Sequence, residues 1–184
     1  MKRFLVFGFG FALLAALSGR ALAWSDGFTI TMTPTGERGV VVDTSSVILS
    51  LGNIEMGGST RTLTAIDVTS SGTIANIEYT IEGSVTGGAT LSEDLTPGTT
   101  ELLLQVQFNN GDPVEAGWNL AKVVDAVAEH AGDGAPGNFE GNEDVDGLAL
   151  YVTRHLWCKV SLPTATQYSG EQTIAVTITA EAGE

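Results

Sequence analysis

A single cysteine, Cys158, serves the whole chain of 184 residues. A disulfide framework and a four-thiolate zinc site are therefore excluded. Basic residues are scarce as well: eight Lys and Arg stand against 22 Asp and Glu, a formal net charge of −14. So acidic a chain repels phosphate backbones and anionic lipid, and nucleic acid is not expected as a partner. The only histidines are His130 and His155. Neither stands in H-x-x-x-H or H-E-x-x-H spacing, which leaves a histidine-based zinc site without support. The G-x-S-x-G elbow of serine hydrolases and the G-x-x-x-x-G-K-[ST] phosphate loop are also missing. With no catalytic motif in the chain, the expectation is a protein that is not an enzyme. Hydrophobic residues make up 43% of the sequence, enough to build a core and too many for a disordered chain.

What is present begins with an export pattern. Met1, Lys2 and Arg3 form a basic start, an apolar run extends from Phe4 to Leu17, and Ala21-Leu22-Ala23 places small residues at −3 and −1. This is the layout of a cleaved signal peptide, residues 1–23. The apolar run is shorter than the roughly 20 residues a membrane-spanning helix requires, so no integral membrane span is expected after cleavage. Three of the eight basic residues lie in this segment and none of the 22 acidic ones, so cleavage leaves residues 24–184 still more acidic. The expected destination is the cell exterior, the cell surface or the periplasm.

Residues 24–184 read as one domain, mostly of strands. Phe28, Ile30 and Met32 alternate with Thr29, Thr31 and Thr33, and Ile77, Tyr79 and Ile81 alternate with Glu78, Thr80 and Glu82. Ile174, Val176 and Ile178 alternate with Thr173, Ala175, Thr177 and Thr179. Val40–Asp43, Val47–Leu51, Leu63–Val68, Leu102–Phe108 and Leu148–Val160 complete the series, with a phase slip near Ala65 that marks a bulge. Short β-branched, Thr-rich runs between Gly-rich turns predict an all-β, antiparallel sandwich of about 7–9 strands. Period-two alternation predicts one buried and one wetted face per sheet. The runs Phe28–Thr33 and Thr173–Thr179 are the candidate sheet edges.

One segment reads as helix. Asp112 is a candidate N-cap, Pro113 suits the first helical position, and Glu115 completes the cap. Leu120, Val123, Val124 and Val127 follow at helical spacing, and Gly132 suits the terminus. The expectation is a short crossover helix over 113–131.

The acidic loop 132–147 comes next, and it holds the one metal-like pattern. Asn142, Asp144 and Asp146 sit at alternate positions before Gly147. Alternate short oxygen-bearing side chains in a tight loop can converge on a hard cation, and the spacing matches the first half of a calcium loop. Position twelve is Thr153, not Glu. A calcium site here would therefore recruit other ligands, with Glu140, Glu143 and Asp133 as candidates. Cys158 shares strand parity with Leu156 and Val160 and reads as a small buried hydrophobe. Trp24, Trp118 and Trp157 raise a sugar-binding platform, against which core packing is the plainer reading of Trp118 and Trp157.

Ser50-Leu51-Gly52-Asn53-Ile54 through Gly57-Gly58-Ser59 and on to Ala65–Gly72 resembles the opening of bacterial secreted immunoglobulin-like domains. The ending, Gly170-Glu171-Gln172 into Thr173–Ala180, is similar to the last strand of secreted surface and matrix proteins. The resemblance implies an immunoglobulin-like β-sandwich in an extracellular setting and carries over no site residue. The functional expectation is a secreted structural or surface-associated subunit whose partner is itself or another surface protein. The alternative is a module binding extracellular polysaccharide or calcium in adhesion. Mass spectrometry of the exported protein should find Trp24 as the first residue.

Overall fold

The computed structural model describes residues 29–32, 38–43, 54–132, 138–168 and 170–183. The expected signal peptide, the strand Val47–Leu51, Trp24 and Asp133 lie outside the described residues. Ten strands form in chain order: β1 (Thr29–Met32), β2 (Arg38–Asp43), β3 (Ser59–Arg61), β4 (Ile66–Gly72), β5 (Ile77–Thr86), β6 (Thr90–Leu91), β7 (Glu101–Phe108), β8 (Glu129–Ala131), β9 (Thr153–Ser161) and β10 (Thr173–Ala182). They make two sheets. One runs β1-β10-β5-β8, and the other runs β2-β4-β9-β7-β6, with β3 also on β9. Most pairings are antiparallel, but β1 lies parallel to β10 and β6 parallel to β7.

The sheets share one core. Ile77, Tyr79 and Ile81 of β5 and Val176 and Ile178 of β10 come from the first sheet. Leu104, Val106 and Phe108 of β7 and Leu156, Cys158 and Val160 of β9 come from the second. The rings of Tyr79 and Phe108 stack across the gap, centroids 5.9 Å apart. The alternation read from the sequence is the cause, since each of these strands turns its apolar parity toward the other sheet.

The phase slip near Ala65 is a bulge on β9. Arg61 of β3 opposes Lys159, whereas Ile66 of β4 opposes Leu156. Residues 62–65 therefore face only Trp157 and Cys158. Thr62 bridges the gap, its N–H donating to the Cys158 carbonyl and its hydroxyl accepting from the Cys158 N–H. Leu63, at the bulge's tip, is exposed.

The crossover helix over 113–131 does not form. In its place are two single-turn 3-10 segments, Glu115–Gly117 and Leu120–Lys122, and then β8. Val114, Trp118, Asn119 and Val123 hold extended backbone angles. Neither turn has a side-chain cap; Asp112 instead pairs with Arg61 at 2.8 Å. The Val124 N–H donates to the Leu104 carbonyl, and Val123 bridges Gln105. Hydrogen bonds to the edge of β7 outcompeted a helix weakened by Gly117 and β-branched valines. The helical stripe splits accordingly: Val124 is 1% exposed and Val127 65%.

That strap also corrects the expectation of one wetted face per sheet. It lies on the outer face of β7 and β9. There Gln105, Gln107, Trp157 and Lys159, of the parity opposite to the core, are buried. The Gln105 side-chain amide donates to the Asn119 carbonyl, and the Lys159 ammonium bonds Glu115 and sits over the Trp118 ring. Thr173–Thr179 is likewise not an edge, because β10 lies between β1 and β5. Among the described residues no helix is long and apolar enough to cross a membrane.

Two substitutions separate strap from helix. Val124→Asp should lower the denaturant midpoint steeply, by burying an unpaired charge, while Val127→Asp should stay within about 0.5 kcal/mol of the parent. Phe108→Ala should cost about 3–5 kcal/mol, read by equilibrium unfolding.

Candidate functional site

The acidic loop is fastened to the end of β7 before it presents any side chain. The Phe108 N–H donates to the Phe139 carbonyl at 2.7 Å, and the Gly141 N–H donates to the Phe108 carbonyl at 2.8 Å. The chain passes so close that a Cβ on Gly141 would stand 2.7 Å from the Phe108 carbonyl oxygen and 2.6 Å from Asn109 Oδ1. Only glycine fits there. Phe139 is fully buried and holds a positive φ of 57°, a conformation that a bulky residue adopts only when its surroundings compel it.

Above this anchor, three carboxylates converge. One oxygen from each of Glu140, Asp144 and Asp146 lies within 4.8 Å of the others. Glu140 Oε1 accepts from the Val145 N–H at 2.9 Å, and Asp144 Oδ1 accepts from the Asp146 N–H at 2.9 Å. Val145, fully buried, pulls the turn inward and leaves its acidic neighbours Asp144 and Asp146 at the surface. Asp146 packs against Gly132 so closely that a Cβ there would overlap its carboxylate.

The expected ligand set is thus brought together in part. Asp144 and Asp146 meet, and Glu140 joins them. Asn142 does not: its Oδ1 accepts from the Asn110 N–H at 2.7 Å while its own N–H donates to Asn109 Oδ1 at 3.0 Å. It is a clasp between loop and strand end. Glu143 turns away, its carboxylate accepting from the His155 N–H at 2.6 Å and meeting His155 Nδ1 at 2.8 Å. On the other side of the His155 ring, Nε2 stands 3.9 Å from Asp67.

The electrostatics show what holding these charges together costs. Burial raises the Glu140 carboxyl above its ordinary value, and Asp146 and Asp144 push it the same way, against the Val145 hydrogen bond. The chain supplies some positive charge of its own. Lys122, only 3% exposed, feels Glu140, which raises its pKa against a larger lowering from burial. Arg154 Nε donates to the Asp144 carbonyl at 2.6 Å. Sequence reading missed Lys122 because nothing local marks a lysine that a strap will carry under the sheet.

Chemically, the arrangement suits a hard cation. Two oxygens bound to one calcium at about 2.3–2.6 Å lie at most about 5 Å apart, and this trio meets that limit. Elsewhere the candidates are inert. Cys158 is buried, its thiol pushed up to about 12 by desolvation, far from the thiolate a nucleophile needs. Trp118 and Trp157 are 7% and 6% exposed. They lie under the strap on the outer face and not in the core between the sheets.

The Glu140 shift carries a sign. A carboxyl whose folded pKa is raised is favoured neutral in the fold, so ionising it as pH rises through and beyond the ordinary range costs stability. Without calcium, Glu140→Gln should melt above the parent at neutral pH, and the two should converge below about pH 4. Millimolar calcium should raise the parent's melting temperature, and the double variant Asp144→Asn, Asp146→Asn should lose that response.

No protein-family model, no characterised protein and no solved structure matches this chain, so the reading of the site rests on its own geometry.

Proposed function

We propose that this chain is an exported, non-catalytic, immunoglobulin-like β-sandwich that serves as a structural or surface-associated subunit and associates with copies of itself or with other surface proteins through its sheet edges. The observation that carries the reading is the pairing of β10. All ten of its residues pair with β5 on one side. On the other, strand pairing among the described residues covers only Ala175–Ile178, through the four residues of β1. A long strand with a thinly covered edge is the site at which a further strand adds, because main-chain donors and acceptors there are already aligned. The signal-peptide pattern and the Thr-rich strands agree with an extracellular subunit.

The second reading is calcium-dependent adhesion at Glu140, Asp144 and Asp146, favoured by the convergence of their oxygens. Polysaccharide binding on a tryptophan platform has less support, since Trp118 and Trp157 are covered.

Light scattering of residues 24–184 over a concentration series, with calcium and with chelator, tests both. Large or filamentous species are expected. A monomer at every concentration would overturn the subunit reading. Assembly that chelator reverses would join the acidic loop to the same function, and assembly indifferent to calcium would separate them.

A further inference from the structure

We infer that copies of this chain join by strand exchange, the β1 segment of one copy lying parallel to β10 of the next. The inference rests on the subunit reading above and names its joint.

Four observations carry it. First, β1 stands at the end of its sheet, and β10 is its one strand neighbour. Second, it holds that place through a short register, Thr29–Met32 against Ala175–Ile178, so few hydrogen bonds must break to release it. Third, β1 and β10 lie at opposite ends of the described chain, and their parallel pairing closes no hairpin. No tight turn forces the two strands to belong to one molecule. Fourth, the connection from β1 to β2, residues 33–37, carries Pro34 and Gly36, and short connections of this kind act as hinges in swapped proteins.

The energetics favour concentration as the switch. Exchange replaces each β1–β10 hydrogen bond with an identical one between copies, so enthalpy nearly cancels. The balance then lies between the effective concentration of the tethered strand, of millimolar order for short linkers, and that of neighbouring copies. Each copy donates one β1 and accepts one, which is a head-to-tail contact. Such a contact closes into a ring or extends into a filament according to its rotation.

Disulfide trapping in the full exported chain tests this. Thr31 and Thr177 are register partners, as are Thr29 and Ala175, and opposed Cα atoms lie within disulfide reach. Chains carrying only Thr31→Cys are mixed with chains carrying only Thr177→Cys at the assembling concentration and oxidised. The buried Cys158 thiol, with so little thiolate, does not compete. Cross-linked dimers of one chain of each kind, identified by mass, should exceed the share expected from random pairing, and the Thr29→Cys and Ala175→Cys mixture should repeat the result. A chain carrying both Thr31→Cys and Thr177→Cys should yield a covalent ladder when assembled and a closed monomer when dilute. Assembly seen by light scattering, with crosslinks only inside each chain in both register pairs, would overturn strand exchange while leaving the subunit reading in place. Absence of assembly in the parent protein would overturn both.

Discussion

Across the gap between the two sheets, Tyr79 of β5 stacks on Phe108 of β7, and the inward rows of β5, β10, β7 and β9 close around that contact. Every other feature of the molecule is placed by this meeting. Burying each large apolar side chain contributes on the order of 1.5–3 kcal/mol, and the inward rows hold enough of them to set the register of all four strands. A slip of one residue would turn an entire row toward the opposite face. The bulge at 62–65 shows the same constraint at work. It absorbs a mismatch of spacing so that Ile66 and Val68 can reach the core.

The outer face of the second sheet is a second, more polar layer. The strap crossing β7 and β9 is held by directional contacts more than by apolar burial: Arg61 to Asp112 and the Pro113 carbonyl, Gln105 to Asn119, and Lys159 to Glu115 and Trp118. Polar groups taken out of water must find partners, and these pairings place the strap. The strap in turn positions the acidic loop, because the Phe139 N–H donates to the Ala121 carbonyl and Lys122 lies beside Glu140. Core, strap and loop thus form a sequence of dependencies that ends at the three carboxylates.

That order explains which parts of the candidate site could be read in advance. Asp144 and Asp146 were legible from alternate spacing in a Gly-rich acidic loop, because a tight turn brings i and i+2 together by local geometry alone. Asn142 obeyed the same spacing and failed. A strand end outside the loop, at Asn109 and Asn110, claimed its amide. Glu143 was claimed in the same way by His155. Local spacing states which side chains can converge, and the competing partners that tertiary structure brings near choose among them.

For the fold, the same division holds. Strand alternation alone settled that the chain is all-β and which parity of β5, β7, β9 and β10 faces inward, since a period of two leaves a pleated strand no other way to hide its apolar row. It settled the bulge near Ala65 and the burial of Cys158 for the same reason. Only tertiary structure decided that 113–131 is a strap and not a helix, because its valines found backbone partners on β7 that no reading of the segment by itself contains. It also decided that the last strand lies inside its sheet with the first strand parallel beside it. That pairing joins residues nearly 150 positions apart, and no local pattern carries information over such a separation.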